Sequence, residues 1–343
     1  MSTNALSSPY PVQLTQATFS LEYHIFEALL NTTDNSVIQY LQLHLPQLQQ
    51  SEVQQWLSEQ EILIDATTAN FDSQLAPGQM LTINLRNHFE QEVNTQWQTL
   101  WQNDEILAAF KPAPLAVSRT TRNLHNTLIS LVRRETPFVK AQLLHRLDIE
   151  TSGLILLAKD QQSDVKWKKG FQQLIEKKVY HAIVKGVPDW QEHLCENQLA
   201  ERIDSAIRCK MYVVDPTEPI ESYKKPKACK SIFKCLKTQG EYSLIECRIF
   251  TGRKHQIRAQ LAALGLPIVG DKIYSHQGHF FLKRLQLENG LIAADYQELG
   301  AKNHLLRAVE LQLRLSPEQD LVKISCPSFA QDLSLELYNN IDN

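Results

Sequence analysis

The sequence predicts an α+β protein with two parts: a large domain built on a largely antiparallel mixed sheet, and a small N-terminal α/β module. Two strand-like segments, 231–237 and 242–250, are separated by a short turn region containing Gln239-Gly240, which favours a hairpin and antiparallel pairing. The first 90 residues instead give the order helix, helix, strand, turn, strand. At 343 residues the chain also exceeds the roughly 250 to 300 residues at which one core stops growing.

Two short helices are predicted near the start of the N-terminal module. Asp34 is placed to cap a helix over residues 36–45, in which apolar side chains recur at helical spacing. Ser51 is placed to cap a second helix over residues 52–59.

Two strands complete the module. The apolar run 62–64 and the alternating run 80–85 are separated by the turn-forming Ala76-Pro77-Gly78. A segment rich in Gln and Asn, 87–103, is expected to link the module to the rest of the chain. We therefore divide the chain into an acidic module, residues 1–95, and a larger domain, residues 96–343.

The larger domain begins with a predicted buried strand at 106–110. A second apolar run, 153–159, predicts another buried strand, and Asp160 can cap a helix over 161–177. The next strand is predicted at 179–184. These elements fit one domain of ordinary size.

The two parts of the chain differ sharply in charge. Of the 35 Lys and Arg residues only Arg86 lies within residues 1–90, whereas nine of the 38 Asp and Glu residues do. The overall formal charge of −3 thus conceals a larger domain that is net positive. We expect the two parts to meet different partners.

Several classes of protein lack support in the sequence. Residues 1–16 have neither the basic nor the apolar region of a secretory signal, and the apolar runs are far shorter than the about 20 residues that cross a bilayer. A cytoplasmic location without a membrane partner is therefore expected. The six cysteines form no C-x-x-C pair, which favours reduced thiols and no metal site. No glycine-rich phosphate-binding motif occurs, so no nucleotide cofactor is expected.

The densest polar signal is the loop Leu-His-Arg-Leu-Asp-Ile-Glu-Thr-Ser-Gly at 144–153, which runs directly into an apolar strand. A loop at the end of a buried strand is a rigid platform that can present an acid to a cleft, and Asp148 is the candidate acid. An Asp in such a loop more often caps its own turn, so this alternative stays open on composition alone.

This loop resembles the H-R-L-D-x-x-T-S-G-L signature of the RluA-type family of RNA pseudouridine synthases, at every specified position. Residues 178–186 are similar to the family's second motif, and residues 251–258, continued by 264–271, to its third. The resemblance covers about residues 100–332. It implies the pseudouridine synthase fold, and isomerisation of uridine in structured ribosomal or transfer RNA by base flipping and an aspartate, without a cofactor.

The resemblance also implies roles for particular side chains. Asp148 is the catalytic carboxylate, Tyr180 stacks on the target uracil, and Arg253 is the cation that keeps Asp148 ionised. Such a cation is needed because burial alone raises the pKa of a carboxyl group. Arg146 is expected to fill the gap left by the flipped uridine. The substrate-binding assignments from the same motifs are Arg146, His145, Thr151, His255, Gln256 and Arg258.

Three questions remain open at this stage. By its strand pattern alone Tyr180 is a core aromatic, and the resemblance adds the stacking role without removing the first. The carboxylate of Asp148 could attack C1′ or C6 of the nucleoside, or act as a base. The alternative hypothesis is a protein that binds or assembles RNA without turnover. The intact set of acid, aromatic and arginine residues argues against it.

Residues 36–86 resemble an S4-like RNA-binding module. Such modules usually carry Arg and Lys on the helix that meets phosphate, whereas Gln and Glu predominate between Gln49 and Gln55 here. We interpret the module as degenerate, with contact to protein slightly favoured over contact to RNA.

Overall fold

The structure is a computed structural model that describes residues 17–25, 30, 35–44, 49–88, 92–120, 123, 125–286, 290–316, 318, 320–329 and 333. The described residues form two compact units. The smaller unit lies within Gln13–Glu92 and Arg119–Asn126, and the larger unit within Val93–Ser118 and Thr127–Asn343. None of the described helices is long and apolar enough to span a bilayer.

The smaller unit has the predicted order of elements, preceded by a strand that the sequence did not reveal. Its elements are β1 (Ala17–His24), α1 (Val37–His44), α2 (Gln50–Ser58), β2 (Ile62–Ile64), β3 (Thr67–Thr68) and β4 (Met80–His88). The strands form an antiparallel sheet in the order β1-β4-β2-β3. Val53 and Leu57 of α2 are buried with Ile62, Leu81 and Ile83 of the sheet, so the two helices and the sheet share one core.

Helix α2 begins at Gln50, two residues before the start that a cap at Ser51 would give. The residue before the helix is Gln49, whose backbone N–H donates to a carboxylate oxygen of Glu52 at 2.7 Å. Ser51 lies inside the first turn, so its predicted role as a cap is wrong. The predicted cap Asp34 lies outside the described residues.

The larger unit is built on one mixed sheet with helices packed around it. Its strands are β5 (Gln98–Gln102), β6 (Ile106–Lys111), β7 (Gln142–Leu143), β8 (Ser152–Ala158), β9 (Ile175–Lys185), β10 (Glu192–Arg202), β11 (Tyr212–Val213), β12 (Tyr223–Gln239), β13 (Tyr242–Ile249), β14 (Leu306–Leu313) and β15 (Val322–Ser325). Its helices are α3 (Leu128–Glu135), α4 (Gln161–Lys169), α5 (Phe171–Leu174), α6 (Gln256–Ala263), α7 (His279–Gln286) and α8 (Ala293–Leu299), with 3-10 turns at Ile220–Ser222 and His276–Gly278.

The sheet runs in the order β11-β10-β12-β13-β9-β14-β8-β6-β5, with β15 beside β14 and β7 beside β8. Among the described strands only β14 and β8 pair in parallel; the other pairs are antiparallel. The predicted hairpin is confirmed as β12 and β13, which turn at Gly240. The predicted α+β class with a largely antiparallel sheet is therefore confirmed.

Two boundaries differ from the predictions. The segment expected to be a linker, 87–103, contains strand β5, whose residues pair with β6 and are half-buried or exposed. Its polar composition is that of an edge strand, which resembles a linker in sequence. The predicted helix 161–177 is capped by Asp160 as expected, but α4 ends at Lys169, the short helix α5 follows, and β9 already begins at Ile175.

Strand β8 holds the candidate loop in place. All seven of its residues are buried, and it lies between β14 and β6. Gly153 approaches β14 so closely that a Cβ atom would lie 2.1 Å from the carbonyl oxygen of Ala308, and its φ of +106° is one that other residues rarely adopt. The loop before β8 therefore enters the sheet at a position that only glycine fits.

Replacing Gly153 with Ala is expected to lower the free energy of unfolding by roughly 3 kcal/mol or more, because backbone clash adds to the strained φ. The midpoint of urea unfolding of the purified chain measures this loss. Gly240→Ala is the matched control: its φ is also positive, at +60°, but no atom lies within 4 Å of the added Cβ. The control should lose only about 1 to 2 kcal/mol, and equal losses would contradict the close approach at Gly153.

Candidate active site

A cavity of about 140 Å³ lies where the loop before β8 meets β9 and the start of α6. Eight of the nine predicted site residues line it, so three segments that are far apart in the sequence meet at one place. They are Arg146, Asp148, Thr151, Tyr180, Arg253, His255, Gln256 and Arg258. The exception is His145.

The Asp148 carboxylate forms an ion pair with Arg258. Nη1 of Arg258 donates to Oδ2 of Asp148 at 2.7 Å. The same guanidinium binds Asp271 in a bidentate manner, with Nε and Nη2 donating to the two carboxylate oxygens at 2.7 and 2.9 Å. Asp271 is fully buried and the Arg258 side chain is 6 % exposed, so a buried cation is shared by two carboxylates.

This arrangement keeps Asp148 ionised. Burial of the carboxyl group by itself raises its pKa, but the adjacent Arg258, with smaller contributions from His255 and His304, lowers the pKa of Asp148 to about 2. One quarter of the Asp148 side chain remains exposed. Its described hydrogen bond and ion pair, both with Arg258, use Oδ2, which leaves Oδ1 without a hydrogen-bond partner among the described residues.

The predicted partner of Asp148, Arg253, does not make the ion pair. Its Nε donates to the carbonyl oxygen of Ala228 at 3.0 Å, and its side chain is exposed. Helix α6 begins only at Gln256, so Arg253 lies in the turn before it. Arg258 lies within the helix, where side chains point back toward the N-terminus and so toward Asp148. The prediction that Arg253 forms the ion pair with Asp148 is therefore wrong, and Arg258 forms it instead.

Tyr180 is both a buried aromatic and a wall of the cavity. It lies in β9 opposite Cys247 of β13 and Ala308 of β14, and it is 8 % exposed. Burial, with a smaller contribution from the Asp148 charge, raises the pKa of its phenol well above the usual range. The hydroxyl group has no hydrogen-bond partner among the described residues, so it can bond to a ligand.

His145 is a structural residue. The backbone N–H of Leu156 donates to its Nε2 at 3.0 Å, and its ring lies against Phe171. That bond needs a free lone pair on Nε2, which a neutral ring provides. Burial and the nearby Lys178 charge favour the neutral ring, because they lower the pKa of His145 to about 3. His145 therefore packs within the protein and does not line the cavity, and its assignment to substrate binding stays a prediction.

Gln256 lines the cavity, but its amide is fully used within the protein. The amide oxygen accepts from the Thr251 hydroxyl at 2.8 Å and from the backbone N–H of Arg253 at 3.0 Å. The amide nitrogen donates to Lys230 O at 3.1 Å and to Ser231 Oγ at 2.9 Å. Gln256 therefore shapes the turn before α6, and its assignment to substrate binding stays a prediction.

The hydroxyl of Thr151 is likewise committed, to Nε2 of His304 at 2.7 Å. His304 is buried, and its backbone N–H donates to Glu150 at 3.2 Å. Glu150 in turn pairs with the buried Lys272 at 2.9 Å. This network anchors the loop that carries Asp148, and the assignment of Thr151 to substrate binding stays a prediction.

Lys111 anchors the same loop from the other side. It is fully buried at the end of β6, and its ammonium donates to the carbonyl oxygens of Pro112, Leu115 and Ile149 at 2.9, 2.8 and 2.9 Å. This role of Lys111 was not predicted from the sequence. The available signal was a lysine at the end of an otherwise apolar strand.

Arg146 stands apart from these networks. It is exposed and lines the cavity, and its side chain has neither a hydrogen bond nor an ion pair with any described residue. No cluster of three or more His, Cys, Asp or Glu side chains suited to a metal ion occurs in the described part of the chain.

Comparisons with known proteins agree with this geometry. The family model described as RNA pseudouridylate synthase matches residues 105–263. The dual-specificity RNA pseudouridine synthase RluA of Vibrio parahaemolyticus is 30 % identical over 230 residues, which cover 64 % of this chain and 85 % of the relative. The ribosomal large subunit pseudouridine synthase D of Nitrosomonas europaea is 26 % identical over 239 residues, which cover 67 % and 66 % of the two chains.

Solved structures show the same fold. Human RNA pseudouridylate synthase domain containing 1 superposes with a TM-score of 0.52 at 17 % identity, over 72 % of this chain and 95 % of that chain. Human RNA pseudouridylate synthase domain containing 4 gives 0.52 at 21 % identity, over 71 % and 92 %. The fold is thus that of pseudouridylate synthases, and the family match and the relatives define the class as enzymes that isomerise uridine in RNA. The chain belongs to the RluA-type family of RNA pseudouridine synthases.

Proposed function

We propose that this chain converts specific uridines of structured ribosomal or transfer RNA to pseudouridine with Asp148 as the reacting carboxylate. The observation that carries the proposal is the ionised Asp148 in the cavity, held by the buried guanidinium of Arg258 at 2.7 Å. The reaction exchanges an N1–C1′ bond for a C5–C1′ bond, so it needs no redox change and no activated donor. An ionised carboxylate with one free oxygen is sufficient to begin it.

The free oxygen Oδ1 of Asp148 is the reacting atom. Attack on C1′, addition at C6 and removal of a sugar proton all begin from this oxygen, while Arg258 holds the other. Tyr180 stacks on the uracil. Because its phenol has a raised pKa, its hydroxyl stays protonated and acts as a hydrogen-bonding group that can relay a proton.

The test is to map pseudouridine directly. Ribosomal and transfer RNA from cells that lack the gene are incubated with the purified chain, and carbodiimide primer stops are then mapped. New stops at defined uridines are expected. Specific binding of the RNA without any stop would instead favour the alternative of a binding or assembly factor.

Arg146 is proposed to hold the duplex open when the target uridine is flipped. A uridine in a stem must leave the stack, at a cost of a few kcal/mol, before it can reach Asp148. An unpaired arginine at the cavity fits this role by its charge and reach. His255 is retained as the other proposed substrate-binding residue.

Replacing Arg146 with Ala is expected to lower kcat/KM by about 10² on a uridine in a stem and by about tenfold or less on the same uridine in a single strand. Single-site RNA substrates of the two kinds, assayed by pseudouridine mapping, measure the difference. Arg208→Ala removes an exposed cation outside the cavity and is the control. Equal losses on both substrates would reject the flipping role.

We also propose that residues 1–95 form a separate S4-like module and that the enzyme is cytoplasmic. The exposed surface of α2 supports a protein contact for the module, because it carries Glu52, Gln54 and Gln55, with Glu59 directly after the helix, and no Lys or Arg.

A further inference from the structure

A buried tyrosine lies behind the cavity and was not among the predicted site residues. Tyr274 is 8 % exposed, and its hydroxyl oxygen accepts a hydrogen bond from the backbone N–H of Met211 at 2.8 Å. The same oxygen lies 3.1 Å from Nδ1 of His255. The two rings meet edge-on, with centroids 5.7 Å apart and an interplanar angle of 82°.

These contacts determine the tautomer of His255. The Tyr274 hydroxyl already accepts from Met211, and among the described residues its proton has one acceptor within hydrogen-bond distance, which is Nδ1 of His255. A buried hydroxyl proton without an acceptor is costly. The hydroxyl therefore donates to Nδ1, and the neutral imidazole carries its own proton on Nε2.

The Nε2–H group faces the cavity. His255 occupies the position just before α6 with a φ of +55°, and it lines the cavity with 10 % of its side chain exposed. Nε2 lies 3.8 Å from Oδ2 of Asp148, which is too far for a hydrogen bond. That oxygen is already held by Arg258. The Nε2–H donor of His255 therefore lies next to the Asp148 carboxylate but makes no hydrogen bond to it.

We propose that His255 is a second catalytic residue, whose Nε2–H donates a hydrogen bond to a carbonyl oxygen of the target uracil, and that Tyr274 is a positioning residue that fixes this tautomer. The proposal rests on the proposed function, with Asp148 as the reacting group. The acceptor is O2 or O4, since both carbonyls offer the same chemistry.

The reaction places negative charge on these oxygens. When Oδ1 of Asp148 bonds to C1′, the N1–C1′ bond breaks with its electron pair on N1, from which the charge spreads to O2 and O4. If Oδ1 adds to C6 instead, the charge lies on O4. A donor fixed beside the carboxylate stabilises either state more than the neutral ground state, as an oxyanion hole does.

His255 acts as a hydrogen-bond donor and transfers no proton. Burial and the adjacent Arg258 charge lower the pKa of His255 to about 4, against the opposing effect of Asp148 and Asp271, so the ring is neutral at physiological pH. A neutral imidazole that polarises a carbonyl oxygen is an established catalytic device. The proton lost from C5 and the proton gained at N1 balance within the substrate and need no exchange with His255.

The tautomer is tested first, on the protein without RNA. Two-dimensional ¹⁵N–¹H spectra of histidine-labelled protein should show His255 with a protonated Nε2 and an unprotonated Nδ1, assigned by comparison with His255→Gln. In Tyr274→Phe the ring should become a mixture of both tautomers. A wild-type ring protonated on Nδ1 would overturn the proposal, whether or not the enzyme is active.

The substrate contact is tested by a kinetic cycle. His255→Ala should lower kcat by about 10² with little change in KM, and Tyr274→Phe by about tenfold. On RNA with 2-thiouridine or 4-thiouridine at the target, sulfur is a poor acceptor, so the His255→Ala loss should shrink to about tenfold or less for whichever position is contacted. The 2-thio and 4-thio arms thereby distinguish O2 from O4.

The controls separate this proposal from the proposed function and from misfolding. His255→Gln keeps an N–H donor and should recover part of the activity lost in His255→Ala. An equal His255→Ala loss on all three substrates would assign the residue a structural role and reject the catalytic one. If the wild-type protein formed no pseudouridine on any substrate, the proposed function would be rejected, whereas the result on the tautomer of His255 would still hold.

Discussion

Replacing Asp148 with Asn is expected to abolish pseudouridine formation while RNA binding persists. The amide has the shape of the carboxylate but lacks its charge, so it can neither attack the nucleoside nor accept a proton. Arg258 stays paired to Asp271 through two hydrogen bonds, so the substitution does not leave a buried cation without an anionic partner. Loss of a nucleophile typically costs about 10⁴-fold or more in turnover.

Release of tritium from RNA labelled at C5 of uridine measures this loss under single-turnover conditions. RNA affinity is measured by filter binding at one fixed salt concentration, because phosphate contacts make affinity strongly salt-dependent. Asp189→Asn, at an exposed position, is the matched control and should retain full activity. Turnover by Asp148→Asn within about tenfold of wild type would remove Asp148 from the mechanism.

The fold was predictable where local pattern and tertiary structure agree. The hairpin of β12 and β13, the buried strand β8 and the cap at Asp160 follow from alternation, apolar runs and a capping residue, each a property of a few neighbouring residues. Strand β5 was missed because an edge strand is half-solvated and therefore polar. Its identity depends on the distant partner β6, which local composition does not encode.

The site was predictable as a set of segments but not as a set of contacts. Motif likeness identified the three segments that meet at the cavity. It did not decide which of two arginines, five residues apart, reaches Asp148, because that depends on where α6 begins. The buried Asp271 and the hydroxyl of Tyr274 were missed for the same reason: their roles depend on Arg258 and His255, which are neighbours only in the folded chain.

Replacing Arg258 is expected to have a large effect on stability, because its guanidinium binds the carboxylates of both Asp148 and Asp271. Arg258→Met is expected to cost about 3 to 5 kcal/mol of stability, since it leaves the fully buried Asp271 without its cation. The double variant Arg258→Met with Asp271→Asn removes both charges of that pair and should recover much of the loss. Arg253→Met should be close to wild type in stability, because it loses only a hydrogen bond to Ala228. Urea unfolding of the three variants measures these differences.

The folded double variant then tests how Asp148 is kept ionised. In the wild type the pKa of Asp148 is lowered to about 2, so its contribution to stability is complete above its ordinary pKa of about 3.9 and is lost as the pH falls through 2. Without Arg258, burial dominates and raises the pKa. Single-turnover rates between about pH 5 and 9 should then rise with pH in the double variant, whereas no rise due to Asp148 is expected in the wild type or in Arg253→Met. A wild-type profile in the double variant, or the same shift in Arg253→Met, would show that Arg258 does not set the charge of Asp148.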